Sequence, residues 1–216
     1  MSVVEAAPAK EIDEQGFIIN DFQITVATPN GSGSQTSNNA ILRALFNMGI
    51  PVSGKNLFPS NIQGEPTWYT IRASKEGYVA RREYAEFLVA MNPRTALSDM
   101  RKLLPKSIIL YADDMQMPTE RDDITYIGMP VKKIVRDANP PRQFRDYLAN
   151  MVYVGVLAEM LDIEIEALDQ ALMFHFGGKR KPVDMNMDII KRGVEWAKEN
   201  VEKDYPYRIR RMDENQ

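Results

Sequence analysis

The chain has 216 residues, a length that suits one globular domain with tails or with a small helical annex. Its net charge is −3, with 27 Lys and Arg residues against 30 Asp and Glu residues, so it lacks the basic excess of a nucleic-acid binder. Cysteine is absent and His175 is the only histidine, which excludes disulfides, zinc fingers, thiolate-held iron–sulfur clusters and His-only metal sites on this chain.

Targeting and membrane signals are also missing from the sequence. Residues 1–14 are acidic and lack the apolar core of a signal peptide. No apolar run approaches the roughly 18 residues that a membrane span needs. We therefore expect a cytoplasmic location without membrane contact.

The first fifty residues predict a strand, a glycine-rich loop and a helix. Apolar and polar residues alternate over residues 22–26, and a turn-forming run with two glycines follows over residues 29–34. Thr36 or Ser37 is expected to cap the helix, which ends at residues 49–51. Its predicted apolar face consists of Ile41, Leu42, Leu45 and Phe46.

Further strand and helix patterns follow in order. Strands are predicted over residues 68–74, 87–91, 107–111 and 124–128. A helix is predicted over residues 95–104, and the polar residues 113–123 are expected to form a loop. After Pro140 the pattern is helical, with three helices over residues 144–161, 165–176 and 187–201. The predicted fold is α/β, a Rossmann-like parallel sheet flanked by helices, with a helical C-terminal part.

The glycine-rich loop over residues 30–35 is the first candidate site. Glycines after a strand let the backbone approach a ligand, and the following helix start offers free N–H groups to an anion. The dinucleotide fingerprint would require a third glycine where Thr36 stands, and the Gly-Lys-Ser/Thr of a phosphate loop is absent. On the motif alone, a tight turn without a ligand is favoured by about two to one.

The second candidate is the long segment over residues 54–64, which lacks a clean periodicity and mixes glycine, proline and amide side chains. Long structured loops in compact domains are often functional. The alternative is a surface excursion. Phe58, Ile62 and Trp68 argue against a fully solvated loop, because such side chains are expected to be buried in the domain or against a partner.

Other polar groups favour ordinary structural roles. The carboxylate pairs Asp113-Asp114 and Asp122-Asp123 could hold Mg²⁺, but solvated loop positions are favoured. His175 is expected to cap or pack rather than act as a base. The basic clusters at residues 179–181 and 208–211 could meet phosphates or an acidic partner, but solvated charge is the usual case.

Together, the two candidate loops resemble the gamma domain of the 2-oxoacid:ferredoxin oxidoreductases. Residues 31–36 are similar to the glycine-glutamine loop of that domain where gamma is fused to the front of the alpha subunit. Residues 48–64, continued by residues 66–72, resemble the 2-oxoglutarate branch and differ from the pyruvate version, in which a tyrosine-glycine-proline segment follows the serine. Residues 150–155 and 168–176 resemble the closing helices of the family.

The resemblance implies a multi-subunit enzyme that uses thiamine diphosphate to decarboxylate a 2-oxoacid oxidatively. The acyl group goes to coenzyme A and two electrons pass through [4Fe-4S] clusters to ferredoxin, or the reaction runs in reverse. Thiamine diphosphate, Mg and the clusters are implied to belong to the alpha and beta parts, which are the expected partners. The gamma domain is implied to shape the active-site entrance and the coenzyme A site, without activity alone.

On this resemblance, eight residues are expected to contact coenzyme A: Gly31, Gly33, Ser34 and Gln35 in one group, and Lys55, Ser60, Asn61 and Gln63 in the other. The first group supplies backbone donors suited to phosphate. Lys55 supplies positive charge, and Asn61 and Gln63 can hydrogen-bond a polar ligand. An equally weighted alternative is that both loops contact the alpha and beta parts. No general base or nucleophile is expected on this chain.

The expected organisation is a leader over residues 1–20, the gamma domain over residues 21–180, and a C-terminal helix with a charged tail over residues 181–216. The chain is expected to be a separate gamma subunit or a part of a fused gamma-alpha chain. One competing hypothesis is a stand-alone nucleotide-binding regulatory or scaffold module. Another, an NAD-dependent dehydrogenase, is disfavoured because Lys55 and Asn56 stand where an acidic ribose ligand would be expected.

Overall fold

A computed structural model describes residues 11–58 and 65–212 of the chain. The strands are β1 (Ile18–Ile19), β2 (Asp21–Pro29), β3 (Val52–Leu57), β4 (Pro66–Ser74), β5 (Phe87–Ala90), β6 (Ile108–Ala112), β7 (Thr125–Met129) and β8 (Tyr207–Arg208). The helices are α1 (Ser34–Asn47), α2 (Ala96–Met100), α3 (Val131–Ala138), α4 (Arg145–Leu161), α5 (Ile165–His175) and α6 (Arg180–Asn200).

Six of these strands form one sheet in the order β3-β4-β2-β5-β6-β7. Strands β2, β5, β6 and β7 run parallel to one another, whereas β4 pairs antiparallel with both β2 and β3. The predicted α/β fold, a Rossmann-like sheet flanked by helices with a helical C-terminal part, is confirmed. The sheet is mostly parallel, and β3 and β4 add an antiparallel wing that the sequence patterns did not indicate.

The two faces of the sheet bury cores of different size. On one face, Phe22, Ile24 and Val26 of β2 pack with α1 and with the helices after residue 130. On the other face, Ala27 and Leu88 belong to a smaller cluster that α2 covers. The alternation of side chains along β2 assigns each residue to one of these faces.

Strands β2 and β5 are adjacent and parallel, but the helices that follow them lie on opposite faces. Ile41 and Leu45 of α1 belong to the larger core, and Met100 of α2 belongs to the smaller one. The chain therefore leaves the carboxyl ends of two neighbouring strands in opposite directions. Open α/β sheets bind ligands in the crevice that such a switch point creates.

Helices α4 and α6 approach each other closely at two glycines. A Cβ at Gly155 would lie 2.1 Å from the carbonyl oxygen of Ile190, and a Cβ at Gly193 would lie 2.8 Å from the carbonyl oxygen of Val152. Either methyl group would meet helix backbone, which cannot rotate away as a side chain can. The two glycines thus permit a contact distance that any other residue would prevent.

The segment after α6 returns to the start of the sheet. Strand β8 pairs in parallel with β1, and the buried side chain of Asn20 exchanges hydrogen bonds of 2.7 and 3.0 Å with the backbone of Arg210. Arg211 forms an ion pair with Glu164, the residue before α5, and donates to the carbonyl oxygen of Asn47. These contacts attach the C-terminal segment to Asn20 before β2, to the end of α1 and to the residue before α5.

Several boundaries differ from the sequence-based predictions. Helix α1 begins at Ser34 with Gly33 at its N-cap, so neither Thr36 nor Ser37 caps it. Phe46 is 66% exposed and does not share the buried face of α1, because its position on the helix turns it away from the sheet. Helix α2 is confined to Ala96–Met100, shorter than predicted, because the chain forms turns before β6.

Four elements were absent from the predictions, namely β3, α3 and the short strands β1 and β8. The segment over residues 54–64 was expected to be a loop, but it begins inside β3, which pairs with β4 over Val52–Leu57. Helix α3 follows β7 directly. Within residues 11–58 and 65–212, no helix is both long enough and apolar enough to cross a bilayer.

We expect Gly155→Ala to lower the free energy of unfolding by about 1–3 kcal/mol, because the added methyl group forces α4 and α6 apart. Denaturant unfolding followed by circular dichroism measures this change. Glu195→Ala, at an exposed position of α6, is the control and should stay within about 0.5 kcal/mol of the wild type. Equal midpoints for the two variants would show that the helices do not need the close contact.

Acid should weaken the attachment of the C-terminal segment. The hydrogen bond from Arg211 lowers the pKa of the Glu164 carboxyl below its ordinary value of 4.5. A depressed carboxyl pKa contributes stability that is complete above the ordinary pKa and is lost as pH falls through the folded-state pKa. The difference in melting temperature between wild type and Glu164→Gln should therefore be present at neutral pH and shrink below pH 4.5. A difference that stays constant with pH would contradict this assignment.

Candidate functional site

The chain passes from β2 into α1 through a loop of four residues, 30–33. Gly31 and Gly33 have φ angles of +83° and +81°, in the left-handed region that costs other residues about 1–2 kcal/mol. Beneath the loop, Thr28 Oγ1 and Ser34 Oγ share a hydrogen bond of 2.8 Å. No side chain within residues 11–58 and 65–212 caps α1, so the N–H groups of its first turn can serve as donors at the end of the sheet.

Helix α4 holds this loop in place through two buried polar side chains. Asn150 Nδ2 donates to the carbonyl oxygen of Ser32 at 2.8 Å, and the Tyr153 hydroxyl donates to Asn38 Oδ1 at 2.8 Å. Burial raises the pKa of Tyr153, so its hydroxyl stays protonated and remains a donor. The conformation of the glycine loop is therefore coupled to the core of the helical layer.

Tyr147 of α4 lies directly on the second glycine. A Cβ at Gly33 would be 2.2 Å from Tyr147 Cδ1, well inside van der Waals contact. The ring is 57% exposed and forms one wall of the loop's surroundings. Gly33 is required here for two reasons, its left-handed φ angle and the ring that occupies the space of a side chain.

A chain of hydrogen bonds joins α1 to the antiparallel wing. Asn56 Nδ2 donates to Gln35 Oε1 at 3.0 Å, and Gln35 Nε2 donates to Asn39 Oδ1 at 3.1 Å. The Tyr69 hydroxyl donates to the same Asn39 oxygen at 3.3 Å. Gln35 is thus an exposed residue whose side-chain amide is nevertheless oriented, since both its ends have partners.

These elements enclose a cleft of about 290 Å³ between the glycine loop, α1, the wing and Tyr147. Hydroxyl, amide and aromatic groups line it together with the loop backbone. The lining residues are Thr28, Asn30, Gly31, Gly33, Ser34, Gln35, Asn38, Asn56, Phe58, Thr67, Tyr69 and Tyr147. We refer to this space as the glycine-loop cleft.

Unsatisfied polar groups concentrate at the same edge of the sheet. Five buried side-chain atoms lack a hydrogen-bond partner among the described residues, and four of them belong to Ser32, Thr67, Asn92 and Thr95. Thr67 is the second residue of β4 and lies beside the end of β2, and Asn92 and Thr95 follow the end of β5. Each such group costs about 1–3 kcal/mol if it stays unpaired, and these four lie after the ends of β2 and β5 or near the start of β4.

The structure brings together one of the two predicted groups of site residues. Gly31, Gly33, Ser34 and Gln35 all line the glycine-loop cleft. Lys55 does not join them. It precedes Asn56 on β3, and because side chains alternate along a strand it lies on the opposite face of the wing. The other three predicted residues, Ser60, Asn61 and Gln63, lie outside the described residues.

Asn56, Thr67 and Tyr147 are among the cleft residues that were not assigned a site role from the sequence. Asn56 belongs to the candidate segment over residues 54–64, but the sequence assigned it no role. Its position beside Gln35 depends on the formation of strand β3. Thr67 required the antiparallel register that sets it opposite Thr28. The helical spacing of residues 144–161 places Tyr147 on the apolar face of a helix. This spacing does not indicate which part of the chain its ring contacts, so the contact with Gly33 was not predictable.

The remaining polar groups have partners elsewhere in the fold. Asp114 pairs with Lys132 at 2.6 Å and Asp123 pairs with Arg121 at 2.5 Å. His175 is exposed, with Nε2 3.2 Å from the hydroxyl oxygen of Thr36 on α1.

The two basic clusters are also engaged in ion pairs within the chain. Arg180 pairs with Asp169 at 2.6 Å and with Asp184 at 2.5 Å. In the second cluster, Arg210 pairs with Asp13 at 2.9 Å.

Comparison with solved structures finds the same fold in oxidoreductases. A 2-oxoglutarate:ferredoxin oxidoreductase from Magnetococcus marinus, solved with 2-oxoglutarate, coenzyme A and succinyl-CoA bound, matches with a TM-score of 0.76 and 24% identity over 88% of this chain and 33% of that one. The gamma subunit of a keto/oxoacid ferredoxin oxidoreductase from Geobacter sulfurreducens matches with a TM-score of 0.66 and 15% identity, covering 82% of this chain and 99% of that one.

Sequence comparison gives relatives that are much longer. The ketoisovalerate oxidoreductase subunit VorA of Methanothermobacter thermautotrophicus is 31% identical over 54% of this chain and 24% of its own length. The alpha subunit of 2-oxoacid:ferredoxin oxidoreductase 2 of Aeropyrum pernix is 20% identical over 83% of this chain and 34% of its own length. This chain thus spans about a third or less of the curated relatives that it matches.

The family model for pyruvate ferredoxin/flavodoxin oxidoreductase matches residues 23–196, which include all but the first two residues of the six-stranded sheet, the glycine-loop cleft and most of α6. The resemblance seen in the glycine loop and in the run that follows it is confirmed by this match. The chain belongs to the pyruvate ferredoxin/flavodoxin oxidoreductase family.

Proposed function

We propose that the chain is the gamma component of a thiamine-diphosphate-dependent 2-oxoacid:ferredoxin oxidoreductase. The proposed reaction converts 2-oxoglutarate to succinyl-CoA with release of CO2 and reduction of ferredoxin, or runs in reverse. The choice of 2-oxoglutarate is supported by the run over residues 48–64 and by the bound ligands of the Magnetococcus marinus relative. The observation that carries the proposal is the glycine-loop cleft, which lies at the carboxyl end of β2 in a chain of this family.

Within this enzyme, we assign to the chain the shaping of the active-site entrance and of the coenzyme A site. Coenzyme A is long and narrow, and it presents amides, phosphates and an aromatic base. The cleft fits part of such a ligand, since the uncapped start of α1, the oriented Gln35 amide and the unpaired hydroxyl of Thr67 all line it. Lys55 and Ser60, Asn61 and Gln63 remain predicted contacts to coenzyme A or to partner chains.

The reaction chemistry is assigned to the alpha and beta parts. Thiamine diphosphate, Mg and the [4Fe-4S] clusters supply decarboxylation and electron transfer there. The described residues of this chain contribute hydrogen bonds, an aromatic wall and a rigid loop. These groups orient a ligand and keep water from the entrance, and they need no change of protonation during turnover.

The proposal predicts that tagged chain, isolated from anaerobic extract, brings down thiamine-binding and cluster-binding subunits. The recovered complex should reduce viologen in a reaction that requires both 2-oxoglutarate and coenzyme A. Mass spectrometry identifies the partners, and parallel assays with pyruvate and branched 2-oxoacids test the substrate. Recovery of the chain alone, with nucleotide binding but without oxidoreductase activity, would replace this proposal with a stand-alone nucleotide-binding module.

Gly33→Ala should impair use of coenzyme A in the recovered complex. The new Cβ meets the ring of Tyr147 and must adopt a φ angle near +81°. We expect the KM for coenzyme A to rise about tenfold, equivalent to ~1.4 kcal/mol of binding, while the KM for the 2-oxoacid changes little. Steady-state kinetics under anaerobic conditions measure both constants.

Gly77→Ala is the matched control for backbone strain. Gly77 has a φ angle of +78°, but nothing lies within 4 Å of its Cβ position. Both variants should lose about 1–2 kcal/mol of stability, because both force a side chain into the left-handed region. If Gly77→Ala raises the KM for coenzyme A as much as Gly33→Ala does, the effect is one of general stability and not of the cleft.

A further inference from the structure

The described lining of the glycine-loop cleft carries no charged side chain, and this property limits the ligands that suit it. Among the described residues that line it there is no Lys, Arg, His, Asp or Glu side chain. Lys55, the cation nearest to it in sequence, lies on the other face of the wing. Phosphate groups are usually held by cationic side chains in addition to backbone donors. A multiply charged phosphate would find only the partial charge of the α1 start in this cleft.

Thr67 provides a second and independent observation. Its side chain lies on the floor of the cleft, the residue is only 8% exposed, and Oγ1 has no partner among the described residues. The neighbouring hydroxyls on the same face are already paired, that of Thr28 with Ser34 and that of Tyr69 with Asn39. Among the buried hydroxyls of the described lining, that of Thr67 is therefore the one without a partner in residues 11–58 and 65–212.

The walls of the cleft suit an uncharged chain of alternating polar and aliphatic character. The side-chain amides of Gln35 and Asn56 stand on one side, and amides are complementary to amides as donors and acceptors. The rings of Tyr147 and Phe58, which are 57% and 50% exposed, stand at the rim. Exposed rings of this kind can cover methyl and methylene groups of a bound chain.

We propose that the glycine-loop cleft binds a neutral, amide-bearing aliphatic chain, with the Thr67 hydroxyl hydrogen-bonded to one of its amides. The inference rests on the proposed function, under which this chain is the pantetheine arm of coenzyme A. The phosphates and the base of coenzyme A then lie outside the cleft. This assignment differs from the expectation that the backbone donors of the glycine loop meet phosphate, because the described lining residues supply no counter-charge.

Thr67→Val tests the inference because valine has nearly the same shape as threonine and lacks the hydroxyl. Affinities for coenzyme A, for pantetheine and for the adenosine bisphosphate half of coenzyme A are measured by titration calorimetry on the complete chain and on its complex. We expect Thr67→Val to weaken coenzyme A and pantetheine equally, by about five- to tenfold, and to leave the adenosine bisphosphate unchanged. Thr67→Ser, which keeps the hydroxyl, should restore most of the affinity.

Two further readouts separate a ligand contact from a structural role. Without ligand, Thr67→Val should raise the melting temperature by about 2–4 °C, since it removes an unsatisfied buried hydroxyl. Pantetheine affinity should change less than about twofold between about 0.05 and about 0.5 M salt, because screening acts on charges and not on amides. Thr70→Val is the matched control. Thr70 is 4% exposed on the opposite face of β4, and its substitution should leave all three affinities unchanged.

Unchanged coenzyme A affinity in Thr67→Val would overturn the inference and leave the proposed function standing. Loss of adenosine bisphosphate binding in Thr67→Val, with no binding of pantetheine, would also overturn it and assign the cleft to phosphate or base. If the wild-type chain and its complex bind no coenzyme A at all, the proposed function itself fails. Titration of the wild-type protein with coenzyme A therefore distinguishes failure of this inference from failure of the proposed function.

Discussion

The burial of α4 is the constraint on which the rest of the structure depends. Twelve of its seventeen residues are buried, and they include the polar side chains of Asn150 and Tyr153. Buried polar groups must find hydrogen-bond partners, and here the partners belong to the glycine loop and to α1. The same helix needs Gly155 for its contact with α6. The hydrogen bonds that the buried side chains of α4 require therefore fix the conformation of the glycine loop, which forms one wall of the cleft.

The antiparallel wing completes a site that a purely parallel sheet would leave open. In a parallel sheet, the neighbour of β2 on this side would place its carboxyl end beside the glycine loop. Here β4 runs the other way, so its first residues lie next to the last residues of β2 and Thr67 stands opposite Thr28. Strand β3 then brings Asn56 within reach of Gln35. One wall of the cleft therefore comes from a departure from the regular fold.

Local sequence patterns predicted those features that local chemistry determines. The alternation over β2, the two glycines after it and the helical spacing of the C-terminal part all produced the elements that were expected. The pairing of Asn56 with Gln35 and the contact of Tyr147 with Gly33 were not predictable, because each joins residues distant in sequence through the register of the wing or the packing of α4. Strand β3 was missed for the same reason. Its Ser-Gly-Lys-Asn residues have little tendency to form a strand by themselves, and the strand is stabilised by pairing with β4.

The pairing of β1 with β8 has a consequence for how such a domain can be joined to other polypeptides. Asn20 and Arg210 are hydrogen-bonded neighbours although 190 positions separate them, so the chain enters and leaves the fold at one place. Domains with adjacent ends accept insertion, permutation and fusion with little distortion, because a new connection need not cross the molecule. This geometry offers a physical reason why the same fold can occur as almost the whole of one oxidoreductase chain and as a third of another.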